Sequence, residues 1–185
     1  MRYKARLVAK GFVQKYGVDF EEVFAPDARL ETVRVLIAIA AQESWEIHHM
    51  DVKSAFLNGE LKEEVYVELP KEFAVEGREG NVLRLRKALY GLRQAPRAWN
   101  AKLDNFLKSL GFQKCPLEHA VYTRWKENKI QIVGVYVDGL IIVGSSKDDI
   151  LSFNQQMEKL FEMSDLGFLP YYLGIEVKQD VDGIR

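Results

Sequence analysis

Two apolar segments separated by the dipeptide Asp138-Gly139 constrain this chain more than any other feature. Residues 130–137 and 140–143 are rich in Ile and Val, which favour strands. Asp-Gly between such segments is typical of a two-residue β-hairpin turn, in which glycine accepts a positive φ. The pattern predicts two neighbouring antiparallel strands, so the fold should be built around a sheet that contains them.

The rest of the chain predicts helices and strands arranged around this hairpin. Helical patterns cover residues 28–43, 96–110 and a stretch opened by the capping sequence 146–149. Strand patterns cover residues 46–52, 63–69, 121–125 and 171–178. The order β–α–β-hairpin–α–β, with one helix in front, predicts an α+β fold of the ferredoxin-like, split βαβ type.

Length and composition exclude several classes of protein. The 185 residues are 48% hydrophobic and 29% charged, enough for one domain with a core and too apolar for general disorder. The longest apolar run, residues 35–41, is too short to cross a bilayer, and no secretory signal is visible. The single cysteine, Cys115, excludes an intrachain disulfide or a cysteine-based zinc cluster. We therefore expect an intracellular protein without a membrane partner.

Positive charge is concentrated in two windows of the sequence although the net charge is −1. Residues 1–15 contain five basic side chains and residues 82–102 contain six, with no acid in either window. Two such patches on an acidic chain suit a protein that binds phosphates. The alternative is that both are solvated surfaces balanced by acids elsewhere in the fold.

Two aspartates are expected to meet at one edge of the predicted sheet. Asp51 ends the first strand and Asp138 lies in the hairpin turn, and the topology places these strands side by side. Converging carboxylates can hold Mg²⁺, a hard ion that prefers oxygen ligands. The alternative is local: Asp138 is a common turn residue, and Asp51 could cap a helix that starts near Ser54.

Other candidate sites are weaker. His48 and His49 point to opposite faces of their strand, so they cannot share a metal ion. Residues 10–13, Lys-Gly-Phe-Val, match only the start of an RNA-binding motif whose aromatic remainder is missing. No glycine-rich phosphate loop of the P-loop or dinucleotide type is present.

Six sequence blocks, in one order, carry a family resemblance. They are KARLVAKGF (4–12), FAPDARLETVR (24–34), MDVKSAFLNGELKEEVYVELP (50–70), KALYGLRQAPRAW (87–99), YVDGLIIVG (136–144) and YLGIEV (172–177). Together they closely resemble the reverse transcriptase domain of copia-type LTR retrotransposons. The resemblance covers nearly the whole chain. It implies a polymerase palm of the split βαβ type with a partial fingers region, about residues 1–45 and 46–185 for fingers and palm.

The resemblance also implies roles for individual residues. Asp51 and Asp138 match the catalytic aspartates, and Val52 is the backbone metal position beside them. Matching positions for nucleotide binding are Arg6, Lys10, Tyr90, Gly91 and Gln94. Matching positions for nucleic-acid binding are Arg93, Arg97, Leu173 and Gly174.

The implied activity is templated nucleotidyl transfer with two Mg²⁺ ions, Mn²⁺ being a possible substitute. Implied partners are an RNA template, a DNA or RNA primer and a dNTP. Family behaviour implies localisation in cytoplasmic particles and then the nucleus. The chain is expected to be a truncated domain, without RNase H and integrase modules.

The chain departs from the family pattern at three positions. It reads YVDG where YVDD is usual, so Gly139 removes one of three carboxylates. Asp27 stands where an apolar residue is usual, and Pro170 where histidine is expected. We therefore expect impaired polymerisation. The alternatives are a catalytically dead, nucleic-acid-binding remnant of the element and an RRM-like RNA-binding module.

Overall fold

A computed structural model of the chain describes residues 5–70, 73, 80–180 and 183–185. The chain divides into two compact units. Unit 1 consists of Met1–Ala25 and Ala55–Leu103, and unit 2 of Pro26–Ser54 and Asp104–Arg185. Arg2 and Lys4, two cations of the first basic window, lie outside the described residues.

The described residues form three α-helices and twelve strands, several of them very short. The helices are α1 (Leu30–Glu43), α2 (Ala95–Ser109) and α3 (Lys147–Leu160). The strands are β1 (Ile47–Val52), β2 (Glu60–Glu68), β3 (Val82–Lys87), β4 (Gln113–Lys114), β5 (Val121–Lys126), β6 (Lys129–Tyr136), β7 (Gly139–Gly144), β8 (Met163–Phe168), β9 (Tyr171–Tyr172), β10 (Ile175–Glu176), β11 (Gln179–Asp180) and β12 (Gly183–Ile184). In this part of the chain no helix is both long and apolar enough to cross a membrane.

Unit 2 is built on a six-stranded sheet with the order β4-β5-β6-β7-β1-β8. Every neighbouring pair is antiparallel. Strand β7 is buried at all six positions, so both faces of the sheet are covered at its centre. The predicted α+β class is therefore confirmed as a mixed architecture with a large antiparallel sheet.

Helix α1 covers one face of this sheet. Its buried positions Val33, Leu36 and Ala40 follow helical spacing and join a core with strand residues such as Ile47 and Ile141. The helix begins two residues later than the sequence pattern predicted and ends at Glu43, and the capping residue Ser44 that follows has a left-handed φ of 56°.

Helix α3 begins as the sequence predicted. The Ser146 hydroxyl accepts a hydrogen bond from the Asp149 amide at 3.4 Å, which satisfies one of the free N–H groups of the first turn. Ile150, Phe153 and Met157 are buried on the inner face of the helix, and α3 contacts β7 and β8.

Unit 1 contains a two-stranded ribbon and a small core. Strands β2 and β3 pair antiparallel. Strand β3 was not among the predicted strands, although leucine and arginine alternate in it. The core is formed mainly by small side chains, namely Val65, Ala88, Leu92, Ala95 and Ala98.

The strand predicted over residues 171–178 is wrong. It is two short strands, β9 and β10, that pair with each other around Leu173 and Gly174. Both turn residues have positive φ, 48° and 86°, which folds the segment back on itself. The sheet position next to β1 is taken instead by β8, which was missed because Ser164, Asp165 and Gly167 break its apolar pattern.

Candidate active site

Strand β1 carries Asp51 to the end of the sheet where the β6–β7 hairpin turns. Asp51 lies opposite Gly139 in the register of β1 and β7. One residue further on, the Val52 amide donates a hydrogen bond to the Asp138 carbonyl at 2.9 Å. Asp51 and Asp138 therefore lie at the same end of neighbouring strands, although 87 positions separate them in sequence.

The hairpin turn itself lies one residue earlier than predicted. Tyr136 pairs with Gly139, so the two turn residues are Val137 and Asp138. Val137 has a φ of 52°, whereas Gly139 is the first residue of β7 and has no positive φ. The expectation that Gly139 supplies the left-handed turn conformation is therefore wrong. The first turn position usually carries glycine in such hairpins, and here it carries a β-branched residue.

Gly139 lies close to two aromatic side chains, those of Tyr172 and His49. A Cβ atom built on it would lie 3.3 Å from the Tyr172 Oη and 3.5 Å from the His49 Nε2. The His49 and Tyr172 rings meet edge to face, with centroids 5.1 Å apart. Burial lowers the pKa of His49, and the nearby Asp51 carboxylate acts in the opposite direction.

Three carboxylates act on the Tyr172 hydroxyl. Its pKa is raised by burial first, and then by Tyr136, Asp138, Asp27 and Asp51. Each negative charge disfavours the phenolate, and these contributions act in the same direction as burial. The hydroxyl therefore stays protonated and can donate a hydrogen bond.

The donors at this end of the sheet are compatible with a hard divalent ion. Among the described residues no group of three or more His, Cys, Asp or Glu side chains is arranged to hold a metal. Mg²⁺, however, usually takes one or two protein carboxylates and completes its shell with water and substrate phosphates. The Asp51 and Asp138 carboxylates and the Val52 carbonyl match that smaller donor set, and their role as ligands stays a prediction.

Unit 1 brings together Arg6, Tyr90 and Gly91, three of the residues predicted to bind nucleotide. The Ala9 amide donates to the Tyr90 carbonyl at 2.7 Å, which ties the N-terminal segment to the stretch before α2. The Arg6 guanidinium lies 4.2 Å from the centroid of the Tyr90 ring, a cation–π distance. A Cβ atom on Gly91 would overlap the Ala9 carbonyl.

Gly11 is a residue of this region that sequence reasoning missed. A Cβ atom on it would overlap the Gly91 carbonyl oxygen, so the two glycines allow the backbones to touch. Lys10 precedes Gly11 in the chain and is exposed. Like Arg6, it is a cation that was predicted to contact the nucleotide.

Gln94 is completely buried and uses its amide within unit 1. It accepts from the Gln14 Nε2 at 3.0 Å and donates to the Asp19 carbonyl at 3.1 Å. The Gln14 Oε1 in turn accepts from the Arg93 amide at 2.9 Å. These bonds hold the segment around residues 14–19 in place, which is a structural role beside the predicted nucleotide contact.

Several cations of the second basic window are paired with acids of β2. The Arg97 guanidinium lies 2.5 Å from the Glu63 carboxylate, and only 16% and 20% of these side chains are exposed. Two further pairs are Arg84–Glu64 at 2.9 Å and Lys102–Glu60 at 2.6 Å. The alternative weighed from the sequence, a surface balanced by acids elsewhere, therefore describes much of this window.

Arg93 and the Leu173-Gly174 pair complete the set of predicted residues. The Arg93 Nε donates to the Gly11 carbonyl at 3.2 Å within unit 1. Leu173 and Gly174 form the β9–β10 turn in unit 2, directly after Tyr172, and the Leu173 side chain is partly exposed. Contact of these residues with nucleic acid stays a prediction.

Comparison with known proteins decides the family. The family model described as "Reverse transcriptase (RNA-dependent DNA polymerase)" matches residues 1–185. The chain belongs to the reverse transcriptase family. This confirms the resemblance inferred from the six sequence blocks.

Relatives of this reverse transcriptase domain come from plant and yeast transposons. It is 43% identical over 97% of its length to the Retrovirus-related Pol polyprotein from transposon TNT 1-94 of Nicotiana tabacum, and 38% identical over its full length to that from transposon RE1 of Arabidopsis thaliana. A putative transposon Ty5-1 protein of Saccharomyces cerevisiae is 37% identical over 72% of the chain. The chain spans 14%, 13% and 44% of these three relatives. No solved structure matches.

Three candidate residues near the aspartates emerge only in three dimensions. Tyr172 and His49 surround the position of the missing carboxylate, and Asp27 approaches the turn from 110 residues away. The departure from the family pattern at Asp27 was visible in the sequence, but nothing there connected it with the hairpin.

Proposed function

We propose that the chain carries the centre of an RNA-directed DNA polymerase, and that Gly139 impairs it. The observation that supports this most directly is the pairing of β1 with β7, which brings Asp51 and Asp138 to one end of the sheet. Family membership supplies the chemistry, templated nucleotidyl transfer onto a primer 3′-oxygen.

We infer that unit 2 corresponds to a polymerase palm of the split βαβ type. The order β8-β1-β7-β6 supports this, because β1 and β6 then run parallel with β7 between them. Helix α2 follows β1 and helix α3 follows β7 in the chain, as that motif requires, although α2 up to Leu103 belongs to unit 1 and only its last residues to unit 2. The division into fingers, about residues 1–45, and palm, about 46–185, remains a proposal, with α1 located in unit 2.

Asp51, Asp138 and the Val52 carbonyl would hold the divalent cations. Bound Mg²⁺ or Mn²⁺ would supply Lewis-acid activation of the attacking oxygen and stabilisation of the leaving pyrophosphate. Holding two such ions with one carboxylate fewer than usual weakens the site, because a metal ligand is not replaced by water without loss of affinity.

Residues of unit 1 would bind the nucleotide and the nucleic acid. Arg6 and Lys10 are exposed cations suited to phosphate, and Tyr90 and Gly91 present ring and backbone beside Arg6. Within unit 1, Arg93 is the proposed contact for the template–primer, and Arg97 would join it only on release from its pairing with Glu63. Within unit 2, the proposed contacts are Leu173 and Gly174. Partners under this proposal are RNA template, primer and dNTP, in cytoplasmic particles and then the nucleus.

Primer extension on an RNA template tests this function. We compare the wild-type chain with Gly139→Asp in Mg²⁺ and in Mn²⁺, and use Gly139→Asp/Asp138→Asn as the matched control. We expect Gly139→Asp to extend at least about tenfold faster than wild type, and the control to be inactive. Equal rates for wild type and Gly139→Asp would show that Gly139 is harmless. No extension by either would contradict the polymerase proposal.

A nucleic-acid-binding remnant is the second candidate function. It is favoured by the absence of a three-carboxylate group among the described residues, together with the exposed Arg6 and Lys10. It predicts binding of single-stranded RNA that weakens steeply with salt and is unchanged by EDTA. Loss of binding in Arg6→Ala/Lys10→Ala, with no extension by Gly139→Asp, would support it.

A further inference from the structure

The turn that carries Asp138 is strained. Val137 adopts a φ of 52°, a left-handed conformation in which a β-branched side chain crowds its own backbone. Glycine is the usual residue at this position of a two-residue hairpin because it has no such penalty. A turn of this kind persists only where neighbouring groups hold it.

Asp27 provides such a hold from outside the hairpin. Its Oδ1 accepts a hydrogen bond from the Val137 amide at 3.2 Å. The residue beside it is fixed, since Ala28 is 4% exposed and its amide donates to the Val135 carbonyl at 2.9 Å. The backbone next to Asp27 is therefore fixed to β6 through the buried residue Ala28.

The turn is held at both of its residues. Asp27 binds the amide of Val137, and the Val52 amide binds the carbonyl of Asp138 at 2.9 Å. The backbone conformation of Val137 and Asp138, which lie between these two contacts, sets the direction of the Asp138 side chain relative to Asp51. Loss of either contact would leave the strained residue restrained by the other contact and by the pairing of β6 with β7.

We propose that Asp27 is a positioning residue whose carboxylate holds the strained Val137 conformation and thereby aims Asp138 at Asp51. The part of this proposal that concerns cation binding rests on the proposed function of Asp138. A different role for the same side chain would be direct action of its charge on a bound cation. Asp27→Asn separates the two, because the amide keeps an acceptor oxygen and removes the charge.

The first measurement is hydrogen exchange of the Val137 amide, followed by NMR. We expect Asp27→Ala to accelerate this exchange about tenfold or more, and Asp27→Asn to accelerate it less. The matched control is Glu22→Ala in unit 1, which removes an exposed carboxylate that accepts from the Val23 and Phe24 amides and should leave Val137 unchanged. Asp27→Val replaces the alanine variant if that variant does not fold.

The second measurement is the dissociation constant of Mn²⁺ for the whole chain. We expect Asp27→Ala to weaken binding about tenfold, Asp27→Asn to stay within about threefold of wild type, and Asp27→Ala/Val137→Gly to recover most of the affinity. The recovery is specific to positioning, since glycine holds a positive φ without help.

The outcomes separate this inference from the proposed function. Unchanged Val137 exchange in Asp27→Ala overturns the inference even if Mn²⁺ binds. Equal loss of Mn²⁺ affinity in the alanine and asparagine variants, without rescue by Val137→Gly, overturns it in favour of a direct charge effect. If wild type binds no Mn²⁺, the proposed function fails, and Val137 exchange alone decides whether Asp27 holds the turn.

Discussion

Glycine at position 139 packs closely against Tyr172 and His49, beside the two aspartates. The position is a buried strand residue, and a side chain there would point at the Tyr172 hydroxyl and the His49 imidazole. The Cβ atom of such a side chain would lie 3.3 Å from the Tyr172 Oη, so the tyrosine hydroxyl would have to move by a few tenths of an ångström for that atom alone. The site therefore lacks a carboxylate at this position, and His49 and Tyr172 lie where its side chain would enter.

Restoring that carboxylate should change the titration of His49. In Gly139→Asp we expect the pKa of His49 to rise, because burial now lowers it and a second nearby negative charge favours the imidazolium. The measurement is the pH dependence of the His49 ring signals by NMR. Gly139→Asn, of equal size and without charge, is the control. Identical titration in the two variants would show that the side chain at position 139 does not face His49.

Asp104, in the second half of helix α2, connects the helix to strands β4 and β5. The Asp104 carboxylate accepts from the Tyr122 hydroxyl at 2.9 Å and pairs with Lys108 at 2.7 Å and Lys114 at 2.8 Å. Burial acts to raise the pKa of Asp104, but the hydrogen bonds from these three partners outweigh it and the pKa is lowered.

Removal of this carboxylate should destabilise unit 2. We expect Asp104→Ala to lower the free energy of unfolding by about 1.5–3 kcal/mol. The variant loses hydrogen bonds to a charged acceptor, and the Tyr122 hydroxyl loses its bond to Asp104. Since the folded-state pKa of Asp104 is depressed, its contribution is present at neutral pH and is lost as pH falls below about 4.

Urea unfolding at neutral pH and at acid pH measures both effects. Glu158→Ala, which removes an exposed acid of α3, is the control and should change stability by less than about 0.5 kcal/mol. If Asp104→Ala were no more destabilising than this control, the network would not contribute to stability.

Many apolar side chains are exposed in the N-terminal part of unit 1, and they bear on whether the whole molecule associates with other copies. Phe12 and Phe24 are 76% and 67% exposed, and six further large apolar residues between positions 7 and 23 are also exposed. Surfaces of this kind mark association sites or aggregation-prone regions, and a net charge of −1 gives little electrostatic repulsion between molecules.

The isolated chain is therefore expected to self-associate. Phe12→Ser/Phe24→Ser should raise the monomer fraction in sedimentation velocity experiments at micromolar concentration. Leu117→Ser is the control, because Leu117 is 96% exposed but lies in unit 2, outside this apolar segment. A purely monomeric wild-type chain, or an equal gain from the control, would contradict this prediction.

The sequence by itself determined the family, the α+β class and the meeting of Asp51 with Asp138. The α+β class follows from local information, because strand alternation, helix caps and a hairpin turn depend on neighbouring residues. The family follows from the six sequence blocks, and the placement of Asp51 beside the hairpin follows from the order of the predicted strands. The turn was misplaced by one residue because local propensity favours Asp-Gly, whereas β1 and β6 pair with β7 in the register that puts Val137 in the strained position.

Only the tertiary structure decided which groups surround the aspartates. The polar strand β8 was missed because its place depends on pairing with β1, and not on its own alternation. The pairing of Arg97 with Glu63, the burial of Gln94 and the bond from Val137 to Asp27 join residues 34 or more positions apart. No local pattern encodes such contacts, because their energy comes from the packing that brings the segments together.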